Sequence, residues 1–182
     1  MKETWIAVTA VGRDRPGIVA GVTEALLSLG CNLGETSMAR LRGEFAMILL
    51  VRLSAGGDIE AARARLQGLG SEMDLTITAR ELAREEFAAK EDEGEGYILR
   101  VYGADRPGIV HAVTSLLARE GLNITDLETR VIPGEGGPVY VMVLEITVPS
   151  VERGEAARIA LQALAAEMRI EVSYDRLDEE TL

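Results

Sequence analysis

Two α+β domains in tandem are the fold class this 182-residue chain predicts. Three observations point to it. The sequence matches itself when slid by 91 residues. Within each copy, short β-favouring apolar runs alternate with longer runs of helical period. Turn-forming Gly, Pro and Asp residues stand at the junctions.

The self-match is close. Gly12 meets Gly103, and Asp14-Arg15-Pro16-Gly17-Ile18-Val19 meets Asp105-Arg106-Pro107-Gly108-Ile109-Val110. Val22-Thr23 meets Val113-Thr114, Gly30 meets Gly121, and Asn32 meets Asn123. After an insertion within residues 133–138 the offset becomes 95, so that Phe45 meets Tyr140 and Met47 meets Met142. Extra length in such a turn-rich segment costs little. Two copies of about 80 residues are a domain duplication rather than a solenoid.

Each element of the first copy has its reason. Residues 4–11 form a β-favouring strand. Residues 16–29 form a helix with Ile18, Val19, Val22, Leu26 and Leu29 on one face. Pro16 suits its first turn and Gly30 its stop. Residues 35–41 and 45–53 make a hairpin across Arg42-Gly43-Glu44. Residues 59–69 form a second helix, with Asp58 as N-cap and Gly70 after it. Residues 75–80 are the last strand. The order is βαββαβ, the ferredoxin-like arrangement. The second copy repeats it over 96–103, 107–120, 124–132, 139–148, 152–168 and 170–174. The division is a first domain at 1–80, an acidic linker at 81–95, a second domain at 96–176 and an acidic tail at 177–182. The first half of the linker is rich in helix-forming residues.

Residues 45–51 and 139–144 are apolar at both odd and even positions. A strand with one solvated face alternates instead. Helices cover one face of each sheet, and a second copy of the chain is the simplest cover for the other. A homodimer is expected.

Charge and composition narrow the function. The net charge is −11. Eight of the eleven surplus negatives fall in residues 81–96 and 174–182. That disfavours direct binding of nucleic acid, whose affinity comes largely from basic residues neutralising phosphates. No apolar run approaches the ~20 residues of a membrane span, and the first residues do not read as a signal peptide. The single cysteine, Cys31, suits a reducing cytoplasm. It aligns with Leu122 and reads as a small buried apolar residue. His111, the only histidine, aligns with Ala20 and reads as a partly exposed helix residue. No nucleophile elbow and no Cys-x-x-Cys or His-rich metal pair is present. Trp5, Tyr97 and Tyr102 lie on first strands without the basic neighbours that RNA-binding sheets carry. No catalytic residue, metal or cofactor is expected.

The repeated loop carries the chemistry. In each copy it delivers the chain into a helix N-terminus, whose first N–H groups lack helical partners and whose dipole end is positive. Gly17 and Gly108 let a ligand approach the backbone. Asn32 and Asn123 follow the same helix and offer a donor and an acceptor together. Free N–H groups for a carboxylate, with an amide for an ammonium group or backbone, would suit a small amino acid. The same residues also make good turns and helix exits, and spacing alone favours that structural role.

Asp-Arg-Pro-Gly-Ile-Val, followed by Gly-Cys-Asn-Leu or Gly-Leu-Asn-Ile, resembles the ACT domain, a small-molecule-sensing regulatory module. The resemblance covers both halves. Two such domains with no enzyme domain beside them resemble the glycine cleavage system transcriptional repressor family; similar segments also open formyltetrahydrofolate deformylases. The resemblance implies ligands at interfaces between ACT domains, contacted by the loop after strand one and the start of strand two. In the first copy it implicates Asp14, Arg15, Pro16, Gly17, Ile18, Asn32 and Leu33. In the second it implicates Asp105, Arg106, Pro107, Gly108, Ile109, Asn123 and Ile124. It further implies a non-catalytic regulator that binds a small amino acid, with glycine and serine as candidates, and acts through a protein partner rather than on DNA. Two alternatives remain. Acylphosphatases share the βαββαβ order, and Arg13, Arg15 and Asn32 could imitate their phosphate-binding set, although Asp14 would repel a phosphate. The other alternative is a scaffold whose ligand sites are vestigial.

Overall fold

The computed structural model describes residues 4–54, 56–83, 94–134 and 137–177. The chain divides into two compact units, Met1–Ala89 and Lys90–Leu182. The first contains β1 (Trp5–Arg13), α1 (Ile18–Ser28), β2 (Asn32–Leu41), β3 (Glu44–Arg52), α2 (Ile59–Met73) and β4 (Leu75–Leu82). The second contains β5 (Glu95–Ala104), α3 (Ile109–Glu120), β6 (Asn123–Ile132), β7 (Val139–Val148), α4 (Val151–Met168) and β8 (Glu171–Arg176). Both units have the expected βαββαβ order. Their sheets run β2-β3-β1-β4 and β6-β7-β5-β8, with antiparallel pairing throughout. Of the expected acidic linker, Glu81 and Leu82 extend β4 and Glu95 opens β5. Its middle, 84–93, and the tail from 178 lie outside the described residues.

Most element ends follow local chemistry. The turn at Arg42 (φ 48°) and Gly43 (φ 91°) has two positive φ values, as a two-residue hairpin of right-handed twist requires. Glu44 therefore belongs to β3 rather than to the turn. α1 ends where Gly30 predicts, with the Gly30 and Cys31 N–H groups donating to the Leu27 and Leu26 carbonyls at 2.9 and 3.1 Å. Asp58 caps α2 by accepting from the Glu60 N–H at 2.8 Å, and Ser150 caps α4 by accepting from the Arg153 N–H at 3.3 Å. Gly70 does not stop α2, which continues to Met73. A Cβ at Gly70 would stand 2.7 Å from the Leu75 carbonyl oxygen, so the glycine admits β4 instead. Asp74, at φ 52°, ends the helix.

Each unit has its own apolar core between one sheet face and its two helices. Along β3, Phe45, Met47, Leu49 and Val51 are buried. Their alternate neighbours Ala46, Ile48 and Leu50 face the other way, and Ile48 is 54% exposed. On β3 the doubly apolar pattern is therefore one buried, helix-covered row and one row that is half-buried to exposed. Among the described residues no helix is long and apolar enough to cross a membrane.

The second core holds one polar defect. Tyr97 and Tyr174 stack with ring centroids 4.8 Å apart, and the Tyr174 hydroxyl is buried with no hydrogen-bond partner among the described residues. Burial first, then Tyr97 and Glu155, push its pKa up to about 12. In the unfolded chain a tyrosine ionises near 10. Above that pH the unfolded state sheds a proton that the folded state keeps, so this contribution to stability is complete below about pH 10 and fades towards 12. Tyr174→Phe is expected to leave stability at neutral pH unchanged or raise it by up to about 1 kcal/mol. It should also flatten part of the alkaline decline in a series of denaturant titrations. An undiminished decline would assign it to other groups.

Candidate functional site

The first repeated loop is fixed at the hairpin end of its sheet. The Asp14 N–H donates to the Gly43 carbonyl at 2.8 Å, and its carboxylate accepts from the Arg40 guanidinium at 3.3 Å. Gly17 then takes φ 95°, ψ −8° as the N-cap of α1, and Gly108 takes φ 97°, ψ −12° before α3. This left-handed backbone explains why both helices begin two residues after the proline. Positive φ is available to glycine at little cost, and Pro16 and Pro107 precede the turn rather than opening the helix.

Among the described residues neither α1 nor α3 has a side-chain cap, and neither has an acidic residue in its first turn. α2 and α4 have both. The first bonds inside α1 and α3 run from the Gly21 and Ala112 N–H groups to the Gly17 and Gly108 carbonyls, each at 2.9 Å. The N–H groups of Ile18, Val19 and Ala20, and of Ile109, Val110 and His111, consequently have no acceptor in their helices. Among the described residues, leaving aside chain neighbours and the helix backbone, no atom lies within 4 Å of where a Cβ on Gly17 or Gly108 would stand. Each loop thus presents an open, positively polarised backbone that can hold a carboxylate.

The implicated side chains divide. Ile18 and Ile109 are each 2% exposed and anchor the helices in the cores, leaving only their backbone for a ligand. Arg15 is exposed. The Arg106 guanidinium donates to the Met168 carbonyl at the end of α4. Asn32 and Asn123 are not beside the loops. Asn32 pairs with Arg52, which pairs with Trp5 at the start of β1, whereas the loop follows Arg13 at its end. Asn123 and Gly96 likewise both oppose Thr147. Eight residues of strand separate the two ends, about 26 Å. No single domain brings its loop and its asparagine together. Leu33 and Ile124 sit with the asparagines, exposed and half-buried respectively.

An open cleft of about 750 Å³ lies against the second loop, lined by Asp105, Arg106, Pro107, Gly108, Ile109, Val110, His111, Thr114 and Tyr140. The sequence had marked the first five. It read His111 as a bystander and Tyr140 only as the match of Phe45. In the first domain a cleft of about 430 Å³ opens at the same end of the sheet but against α2 and β4, beside Gln67, Ser71 and Asp74. Cys31 is half-buried against the first core, and burial pushes its thiol pKa up, away from a reactive thiolate. Among the described residues no group of three or more His, Cys, Asp or Glu side chains could hold a metal ion.

Known proteins match this architecture. Residues 4–80 and residues 97–161 each match the ACT domain. The glycine cleavage system transcriptional repressor of Escherichia coli strain K12 is 30% identical over 97% of this chain and 94% of its own. A UPF0237 protein of Methanopyrus kandleri is 40% identical over 41% of this chain and 83% of its own. A crystal structure of an unknown protein from Galdieria sulphuraria superposes with a TM-score of 0.81 at 29% identity, covering 97% of this chain and all of that one. With an ACT-domain match in each half and likeness to the repressor along nearly its full length, the chain belongs to the ACT-domain family, as a tandem pair of the glycine cleavage system transcriptional repressor type.

Proposed function

We propose that this chain is a non-catalytic regulator whose ACT domains bind a small amino acid and whose occupancy changes how it meets a protein partner. The observation that carries this reading is the uncapped helix start behind each Asp-Arg-Pro-Gly loop, in domains whose other helices are capped. A carboxylate satisfies those N–H groups as a cap would. The asparagine, about 26 Å away along the strand, meets the same ligand only when it comes from another ACT domain laid antiparallel to the first. A ligand held that way binds one arrangement of domains better than another, which is the condition for regulation. The apolar row of β3 that faces away from the helices, with Ile48 54% exposed, supplies a surface for a homodimer. By analogy with the Escherichia coli repressor, the process controlled is transcription. The net charge of −11 favours control through a protein partner over DNA contact. The acylphosphatase-like alternative needs Arg15 and Asn32 on one phosphoryl group, and a single domain holds them at opposite ends of its sheet.

A thermal-shift screen of the full chain against the twenty standard amino acids tests the reading. A ligand of the folded state at 100 times its Kd adds about 2.7 kcal/mol, which is on the order of 10 °C for domains of this size. The expected result is such a rise with at least one amino acid, reduced by Asn32→Ala or Asn123→Ala. A flat screen would leave a scaffold whose loops serve protein contact. Turnover of an acyl phosphate lost in Arg15→Ala would make the chain an enzyme.

A further inference from the structure

The two loops share a motif and a backbone conformation but not their surroundings. In the first domain the loop carboxylate is already engaged. Arg40 stands on β2 opposite Phe45 and reaches Asp14, whose side chain is only 27% exposed. In the second domain the strand position opposite the matching Tyr140 is Val131, which carries no charge. Asp105 stands exposed at the cleft, with no ion pair among the described residues. The second loop is held instead by Arg106 on the Met168 carbonyl, which leaves Asp105 unspent.

Two further positions differ. His111 stands where the first domain has Ala20, and Tyr140 where it has Phe45. Phe45 is 2% exposed in its core, whereas Tyr140 is half-buried and lines the cleft. The His111 Nδ1 lies 3.3 Å from the Ser115 hydroxyl, which steadies the ring on α3 and leaves Nε2 without a partner among the described residues. Imidazole and phenol can each donate or accept a hydrogen bond. The second cleft therefore adds one free carboxylate and two adaptable polar groups to the helix start; the first domain offers none of the three.

Resting on the reading above, we infer that the second domain carries the chain's amino-acid site, that Asp105 takes the ligand's ammonium group, and that His111 and Tyr140 select a short polar side chain over an apolar one of similar size. An ammonium group brings three donors, and Asp105 is the one carboxylate lining this cleft among the described residues. A site built to hydrogen-bond a side chain rejects the analogue that leaves its polar groups unpaired. The first loop, with its carboxylate already neutralised, serves contact rather than capture.

Isothermal titration of the full chain with L-serine against L-alanine, and L-asparagine against L-leucine, tests this. The polar member of each pair is expected to bind about tenfold tighter or better. Asp105→Asn should weaken the bound amino acid by about tenfold or more, and by at least about fivefold more than Asp14→Asn does. His111→Ala and Tyr140→Phe should narrow the serine-to-alanine ratio, a change that general loosening of the fold would not produce. Equal losses in Asp14→Asn and Asp105→Asn, an unchanged ratio in both cleft variants, or preference for the apolar members would overturn the inference while leaving amino-acid sensing intact. Absence of binding by the unmodified chain to any standard amino acid would overturn both.

Discussion

Phe45→Ala is expected to destabilise the first domain by about 3–5 kcal/mol and the second not at all. Phe45 is 2% exposed and among the largest fully buried side chains. Its cross-strand neighbours cannot refill the space. On one side is Gly12, which has no side chain, and on the other is Arg40, whose guanidinium is on Asp14. Gly12 cannot be enlarged in compensation, because a Cβ there would stand 2.7 Å from Leu75 Cδ2 and 2.9 Å from the Asp74 carbonyl oxygen. The cost of such a truncation grows with the cavity that persists, so the upper part of the range is expected. A domain of about 80 residues has roughly 4–12 kcal/mol in total. The loss should lower its melting midpoint by on the order of 15 °C or more. The second core is built from a separate set of residues, so calorimetry of the variant should show one transition displaced and one in place. A shift below about 5 °C would mean that the site collapses and that the Gly12–Phe45–Arg40 description of it is wrong.

The architecture was legible because its signals are local and doubled. Both βαββαβ orders, the hairpin at Arg42-Gly43 and the helix stops at Gly30 and Gly121 follow from residues acting within one turn of themselves. Where the reading slipped, a glycine had two possible uses. Gly70 reads as a helix stop, yet it serves close packing of α2 on β4. Gly17 reads as a place for ligand approach, and its positive φ also moves the helix start past Pro16. The candidate site was legible only in its loops. The distance between Gly17 and Asn32 depends on strand pairing, which spacing in sequence does not give. The Arg40–Asp14 pair is a cross-strand contact 26 residues apart, invisible to spacing. His111 and Tyr140 differ from Ala20 and Phe45 as single residues, with no period to announce them, and they matter only because the fold gathers them around one cleft.

The sharpest test uses the same substitution twice. Gly17→Val and Gly108→Val each force a β-branched side chain into a left-handed backbone, at φ 95° and 97°. Among the described residues, leaving aside its chain neighbours and the helix backbone, neither new Cβ meets another atom within 4 Å, so backbone strain is the main penalty, about 1–3 kcal/mol. Because the two conformations agree within a few degrees, the two domains should lose nearly the same stability in denaturant titrations of the full chain. Binding should separate them. Valine at position 108 occupies the approach to the N–H groups of Ile109, Val110 and His111, beside the free Asp105, and should weaken the bound amino acid by about 100-fold, equivalent to about 2.7 kcal/mol. Valine at position 17 makes the same intrusion beside a carboxylate already held by Arg40 and should weaken the affinity at least about tenfold less than valine at position 108. Equal strain with unequal binding isolates the side chains around the loop from the loop itself. Equal loss of affinity at both positions would mean that the duplicated backbone, and not Asp105, His111 and Tyr140, decides where the ligand goes.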